Sequence, residues 1–181
     1  MKQYGLPVIV AINHFADDHK EEVEALTSWC KKEGYSVTFL DGFLKGGEGS
    51  IDLAKEVVKT LNETTSHYHP LYDVELPLEE KIEIIAKKIY HATHVEYTLE
   101  AKEQMEKFKK MGYEYIPVCM AKTPQSFSDD PKVLGAPQDF TITVREVRLS
   151  AGANFIVCLT GSILTMPGLP KVPAAVKMEE E

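Results

Sequence analysis

The sequence predicts an α/β protein with a parallel βαβ-type sheet flanked by helices. Residues 6–12 form a nearly continuous apolar run, which is typical of a strand buried on both faces. A segment with helical periodicity follows, and residues 35–40 form a second apolar, strand-like segment. Two strands joined by a helix form a βαβ unit, so we expect these strands to be parallel with a right-handed crossover.

The first helix is bounded by recognisable end signals. Asp18 and Glu21 have the spacing of a capping box at its beginning. Gly34 is placed to end the helix in the left-handed conformation. The apolar stripe of this helix comprises Val23, Leu26, Trp29 and Cys30.

A second helix and a change of lobe follow. Ser50 is placed to cap a helix whose apolar face carries Ile51, Ala54, Val58 and Leu61. Residues 62–77 are polar and lack an apolar period, so we interpret them as a connection between two small lobes, residues 1–66 and 67–181.

The second lobe is predicted to be α/β as well. Helices are expected to begin at Pro77 and near Thr98, and strands are expected at residues 116–121, 140–144 and 154–160. Residues 122–139 contain three prolines and no apolar period. They predict a long loop, and loops of this length within compact domains are often functional.

Composition excludes several classes of protein. The 181 residues include 28 acidic and 20 basic side chains, a formal charge of −8. This balance argues against a nucleic-acid surface and against docking on an anionic membrane. The three cysteines, Cys30, Cys119 and Cys158, lack CxxC spacing and lie in apolar segments. We therefore expect reduced, buried thiols and a cytoplasmic protein.

A glycine-rich segment precedes the second helix and is a candidate anion or phosphate loop. It consists of Lys45, Gly46, Gly47, Gly49 and Ser50. Glycines allow backbone N–H groups to approach an anion, and a helix N-terminus favours negative charge. The alternative is a tight turn between strand and helix. The segment is not a Walker A loop, since neither GxxxxGKS nor GxxxxGKT occurs in the sequence.

Two aromatic residues follow the carboxyl ends of the first two strands. Phe15, next to His14, lies three residues past the first strand, and Phe43 lies three residues past the second. Ligands of open α/β sheets bind at this edge, so the two rings could hold a flat heterocycle. Their spacing depends on whether the strands are neighbours, about 4.8 Å apart, or separated by a third strand, roughly 10 Å apart. The alternative is that both rings pack into the core.

The remaining polar motifs do not predict a catalytic or metal site. His91 and His94, like His67 and His69, form pairs without further ligands at diagnostic spacing. We interpret them as solvated residues at a helix end and in a loop. No residue has the sequence context of a catalytic nucleophile, so the catalytic residues stay unassigned.

Several motifs together resemble the C-terminal portion of formate–tetrahydrofolate ligase. They are VIVAINHF at 8–15, KGGEG at 45–49, IPVCMAKT at 116–123, SFSDDP at 126–131, TVREVRLSAG at 143–152 and TMPGLP at 165–170. LYDVELPLEEKI at 71–82 and IAKKIY at 85–90 match in the same order. The resemblance covers essentially the whole chain.

The resemblance implies an enzyme of one-carbon metabolism. The family joins formate to tetrahydrofolate with ATP-Mg, giving 10-formyltetrahydrofolate, ADP and phosphate. It implies a cytoplasmic homo-oligomer whose P-loop lies in an N-terminal portion, and no tightly bound cofactor in these residues. We therefore expect either a fragment of the ligase or a naturally truncated copy, inactive by itself.

The resemblance also implies roles for individual residues. Phe15 and Phe43, with Asn13, correspond to the family's folate-binding positions. The family usually has Trp where this sequence has Phe43, and an acidic residue is common where it has Ser162. Thr123 and Ser126 correspond to a nucleotide-side loop.

Two other functions remain open to the sequence. A truncated copy could act only as a non-catalytic folate-binding or oligomerisation module. A stand-alone Rossmann-type oxidoreductase is disfavoured because no GxGxxG follows a strand.

Overall fold

The computed structural model describes residues 1–161. The chain divides into two compact units, Met1–Pro70 and Leu71–Glu181. Ser162 and the TMPGLP motif lie outside the described residues. The lobe limits 1–66 and 67–181 stay a prediction. The α/β class is confirmed, with small sheets flanked by helices in each unit.

The first unit contains the predicted βαβ arrangement. Strand β1 (Ile9–Asn13) and strand β2 (Ser36–Leu40) are parallel neighbours, paired from Ile9 with Ser36 to Asn13 with Leu40. Helix α1 (Lys20–Lys32) connects them. Gly34 has φ +73°, and its N–H donates to the carbonyl of Lys31. A glycine adopts this conformation without the steric cost of a Cβ, so the end of α1 is as predicted.

The predicted beginning of α1 is wrong. His19, not Asp18, occupies the N-cap position, and its side chain makes no capping hydrogen bond. The Asp18 carboxylate instead accepts a hydrogen bond from the backbone N–H of Phe15 at 2.8 Å. A short acidic side chain can satisfy a turn as readily as a helix end, and here the turn competes successfully.

Two short helical turns replace the predicted glycine loop. Helix α2 (Gly42–Lys45) follows β2 directly, and a 3₁₀ turn (Glu48–Ser50) leads into helix α3 (Ile51–Glu63). Ser50 is the N-cap of α3, but its hydroxyl donates to the carbonyl of Gly46 rather than capping the helix.

The predicted apolar helix faces of this unit lie largely exposed. Leu26 and Trp29 of α1 are exposed, and so is the α3 face formed by Ile51, Ala54, Val58 and Leu61. Burial within the described part of this unit is confined to Ile12, Cys30 and Asp41. The first unit therefore has a thin core.

Within the described residues, the second unit contains two α-helices and five strands. Its helices are α4 (Leu78–Lys88) and α5 (Leu99–Lys110). Its strands are β3 (His94–Tyr97), β4 (Val118–Ala121), β5 (Thr141–Val144), β6 (Glu146–Ser150) and β7 (Phe155–Leu159). β3 pairs with β5 in parallel, whereas β7 pairs in parallel with β4 and antiparallel with β6.

A continuous apolar core lies between the helices and sheets of the second unit. Its buried members are Leu78, Ile82, Ala101, Met105, Val144, Val147, Ile156 and Cys158. Lys81 is also fully buried, and its Nζ donates to the backbone carbonyls of Glu114 and Ile116. Burial lowers the pKa of Lys81. Through its two hydrogen bonds, the ammonium group of Lys81 joins α4 to the segment that leads into β4.

The cysteine prediction is correct for two residues and wrong for one. Cys30 and Cys158 are buried, and burial raises the pKa of the Cys158 thiol to about 12. Cys119 is exposed. Val118 and Met120 pack against the core, so the alternation of strand β4 directs Cys119 to the opposite face.

Among the described residues, no helix combines the length and apolar character that crossing a membrane requires.

Candidate functional site

The two predicted aromatic side chains lie beside each other at the carboxyl ends of β1 and β2. The backbone N–H of His14 donates to the carbonyl of Leu40 at 2.9 Å, which extends the pairing one residue beyond Asn13. Phe15 and Phe43 follow, with ring centroids 5.6 Å apart and an interplanar angle of 48°. The rings are 47% and 74% exposed, respectively. They therefore form a surface pair and do not pack into a core.

The ring pair has no room for a third ring in this conformation. A flat ligand between two stacked rings needs roughly 3.5–4 Å on each side, or about 7–8 Å in all. Because β1 and β2 are direct neighbours, the wider spacing expected from an intervening strand does not apply. A sandwich would thus require the centroids to separate by roughly 2 Å, which side-chain rotation of an exposed ring can provide.

A buried carboxylate lies close in sequence to the aromatic pair. Asp41 is the first residue after β2 and is 6% exposed. Its Oδ1 lies 3.0 Å from Nδ1 of His14, and its Oδ2 lies 2.8 Å from Nζ of Lys45. One carboxylate therefore contacts the residue that follows β1 and the last residue of α2. We name these three residues, His14, Asp41 and Lys45, the Asp41 network.

The Asp41 network favours the ionised form of the carboxylate and determines which nitrogen of His14 donates a hydrogen bond. Hydrogen bonds from Lys45 and then from His14 lower the pKa of Asp41. An ionised carboxylate only accepts hydrogen bonds, so His14 must donate from Nδ1. The Nε2 atom of a neutral His14 is then the nitrogen that can accept a hydrogen bond.

The glycine-rich segment packs closely against Asp41. The backbone N–H of Asp41 donates to the carbonyl of Gly49 at 3.0 Å. A Cβ on Gly49 would lie 2.2 Å from the carbonyl oxygen of Asp41, a distance that real Cβ atoms do not show. Gly46 has φ +57°. Glycine is thus required here by close approach and by backbone conformation.

The predicted role of this segment as an anion loop stays a prediction. Within it, the N–H groups of Lys45, Gly46 and Ser50 donate to the carbonyls of Asp41, Gly42 and Gly47. Lys45 is engaged by Asp41, although its side chain remains 66% exposed. Asn13, the last residue of β1, is exposed.

The predicted nucleotide-side residues lie in the second unit, within the loop at residues 122–139. Thr123 and Ser126 are buried. The hydroxyl of Thr123 contacts the side chain of Gln125, and that of Ser126 lies 2.9 Å from the hydroxyl of Ser128. Lys122 donates to the carbonyls of Thr123 and Ser126, and burial lowers its pKa. Both hydroxyls therefore serve the internal structure of the loop.

Sequence reasoning missed Asp41 altogether. Its position directly after a strand, at the edge where parallel sheets bind ligands, is the signal that could have identified it. Its partner His14 drew attention only as the neighbour of Phe15. The pairing with His14 spans 27 residues, so no local spacing reveals it.

The sequence as a whole matches one family of known proteins. The family model described as formate–tetrahydrofolate ligase matches residues 1–181, which is the full length of the sequence.

Proposed function

The chain belongs to the formate–tetrahydrofolate ligase family, and we propose that its first unit supplies a folate-binding wall. In the proposed reaction, ATP drives the joining of formate to tetrahydrofolate, giving 10-formyltetrahydrofolate, ADP and phosphate. The observation that carries the proposal is the exposed contact between Phe15 and Phe43 at the carboxyl ends of two neighbouring parallel strands.

The chemistry of the ligand suits this surface. The pteridine and aminobenzoate groups of folate are flat, and aromatic contacts contribute about 0.5–1.5 kcal/mol each beyond the area that they bury. A ligand that covers the two exposed rings would also remove their apolar surface from water, which is favourable. Phe43 projects from a helix of only four residues and is 74% exposed, so it is the ring that rotates most freely. We propose that it moves aside to admit the ligand.

The glycine-rich segment adds a positive charge to the proposed site. Lys45 is two residues beyond Phe43 and is more than half exposed. We propose that Lys45, with the segment Gly46, Gly47, Gly49 and Ser50, meets an anionic group of folate or of the formyl donor. Asn13 offers an amide at the same edge. Phosphate binding at such segments relies on backbone N–H groups and a nearby cation.

The remaining parts of the proposal concern partners outside these residues. A P-loop portion of the same enzyme would supply the binding of ATP-Mg, and the assembled enzyme would be a cytoplasmic homo-oligomer.

Within this chain, Thr123 and Ser126 are proposed to lie on the nucleotide side. Because their hydroxyls already bond within the loop, we propose that they shape it rather than contact the nucleotide through those groups.

Replacement of Phe43 tests the folate site directly. We expect Phe43→Ala to weaken tetrahydrofolate binding by about 1–2 kcal/mol, tenfold or somewhat more, because one stacking ring is lost. Phe43→Trp should bind equally well or better, since the larger ring keeps the contact. Isothermal titration calorimetry of the chain under anaerobic conditions measures both effects.

Leu44→Ala provides a matched control on the same short helix. Leu44 is an exposed apolar residue adjacent to Phe43, so its removal should leave the dissociation constant within twofold. Unchanged affinity of Phe43→Ala would contradict the proposed role of the ring. Failure of the unaltered chain to bind tetrahydrofolate would contradict the folate-binding wall itself.

Catalysis by the purified 181 residues is the second test. We expect no ATP-dependent formation of 10-formyltetrahydrofolate, because phosphoryl transfer needs a phosphate-cradling loop and a bound metal, and this sequence contains no Walker A motif. The assay follows the acid conversion of product to its absorbing methenyl form. Turnover by this polypeptide would refute the expectation.

A further inference from the structure

Asp41 belongs to the chain segment that carries Phe43, and its side chain contacts the segment that carries Phe15. Its first partner, His14, immediately precedes Phe15 in the sequence. Its second partner, Lys45, is two residues after Phe43, and Asp41 itself is two residues before Phe43. Oδ1 therefore joins this segment to the one that carries Phe15, at 3.0 Å, and Oδ2 holds Lys45 within its own segment, at 2.8 Å.

The backbone of Asp41 is held on both sides. Its N–H donates to the carbonyl of Gly49, and its carbonyl accepts from the N–H of Lys45, each at 3.0 Å. The absence of a side chain at Gly49 permits this approach. The carboxylate thus extends from a fixed point, and its two contacts restrict His14 and Lys45 in turn.

Each aromatic ring has the other as its aromatic neighbour among the described residues. Both residues are exposed, Phe15 to 47% and Phe43 to 74%. Their separation must therefore be set mainly by the backbone segments from which they project. Those segments are tied together beyond the end of the strand pairing by the Asp41 network.

We propose that Asp41 is the positioning residue of the aromatic pair, holding Phe15 and Phe43 within reach of one flat ligand through His14 and Lys45. It is not assigned a catalytic role. The proposal rests on the proposed function only for the identity of the ligand. The positioning itself is a property of the unliganded protein.

The first experiment measures the ring contact without any ligand. In the chain with ¹³C-labelled phenylalanine, a through-space NMR cross-peak between the rings of Phe15 and Phe43 is expected. Asp41→Asn should reduce its intensity by roughly half or more, because an amide replaces the charged hydrogen bonds that join the two segments. Glu24→Gln is the matched control, since it removes one carboxylate from an exposed pair with Lys20 and should leave the cross-peak unchanged.

Single-partner variants guard against misfolding of Asp41→Asn. His14→Gln and Lys45→Met each remove one contact and leave the buried carboxylate in place. Each should weaken the cross-peak while the amide resonances of β1 and β2 keep their positions. An undiminished cross-peak in all three variants would overturn the proposal, and so would its absence from the unaltered chain.

The second experiment asks whether Asp41 acts through the rings. As a single substitution, Asp41→Asn should lower tetrahydrofolate affinity about three- to tenfold. In the Phe43→Ala background the same substitution should lower it less than about twofold, since the effects of residues that act through one another are not additive. Equal losses in both backgrounds would overturn the positioning role. If the unaltered chain does not bind tetrahydrofolate, the proposed function fails, and the ring cross-peak still decides the role of Asp41.

Discussion

At the scale of single residues, the Asp41 carboxylate makes a contribution to stability that depends on pH. Its partners Lys45 and His14 lower its pKa below the value of about 3.9 that an unfolded chain gives. The native state therefore favours the ionised form. The resulting stabilisation is fully present above about pH 4 and is lost as the pH falls through the lowered native pKa.

We expect this dependence to appear as a difference between two proteins. The urea midpoint of the unaltered chain should exceed that of Asp41→Asn between pH 7 and pH 5. The excess should shrink below about pH 4, where the unfolded carboxylate takes up a proton. Glu24→Gln should show little difference at any pH. An excess that disappears already between pH 7 and pH 5 would contradict the lowered pKa.

The sequence predicts single residues well where local position decides their surroundings. Phe15 and Phe43 were expected at one sheet edge because both follow strands of a βαβ unit, and the structure brings their rings into contact. The buried Lys81 could not be expected, since Lys is rarely fully buried. The carbonyls that accept hydrogen bonds from its Nζ lie 33 and 35 residues away.

Among the elements, helix α5 begins at the residue that the sequence indicates. The Thr98 hydroxyl accepts a hydrogen bond from the N–H of Ala101 at 3.2 Å and donates one to the carbonyl of Arg145 at 2.7 Å. It therefore caps α5 and also joins the end of β3 to the turn between β5 and β6.

Replacement of this cap should destabilise the second unit. We expect Thr98→Ala to lower the free energy of unfolding by about 1–2 kcal/mol, because a helix N–H and a backbone carbonyl both lose their partner. Thr98→Ser keeps the hydroxyl and should recover most of the loss. Chemical denaturation monitored by circular dichroism measures both. Equal stability of the Ala variant would show that neither bond contributes.

Two strands were not predicted, and both are short. β3 has four residues, and its His94 was interpreted as part of a solvated helix end. β6 has five residues, with Glu146 and Arg148 alternating with apolar side chains on an edge strand. Segments of this length carry little periodicity. The partner of β3 lies 47 residues away, from His94 to Thr141, so the pairing has no local signal.

On the scale of the whole molecule, the class is predictable but the sheets are not. Apolar strands and amphipathic helices in alternation identify an α/β protein. The division of the second unit into a β3–β5 sheet and a β4–β7–β6 sheet depends on which distant segments pair. An exposed face such as that of α3 is equally invisible, because periodicity identifies an apolar stripe but not what covers it.

The two units should differ in local stability. The first unit buries the apolar side chains of Ile12 and Cys30, whereas the main cluster of the second unit comprises eight buried residues. Each large apolar side chain that becomes fully buried contributes about 1.5–3 kcal/mol. Amides in β1 and β2 should therefore open at a lower free energy than amides in β5 and β7.

Native-state hydrogen exchange with mass spectrometry measures this difference. Peptides covering Ile9–Asn13 and Ser36–Leu40 should exchange at least about thirtyfold faster than those covering Thr141–Val144 and Phe155–Leu159, which corresponds to roughly 2 kcal/mol in opening free energy. Equal protection of the four strands would mean that burial within each unit does not set its local stability. Tetrahydrofolate should slow exchange in the first unit alone if it binds to the aromatic pair, because a ligand stabilises the state to which it binds.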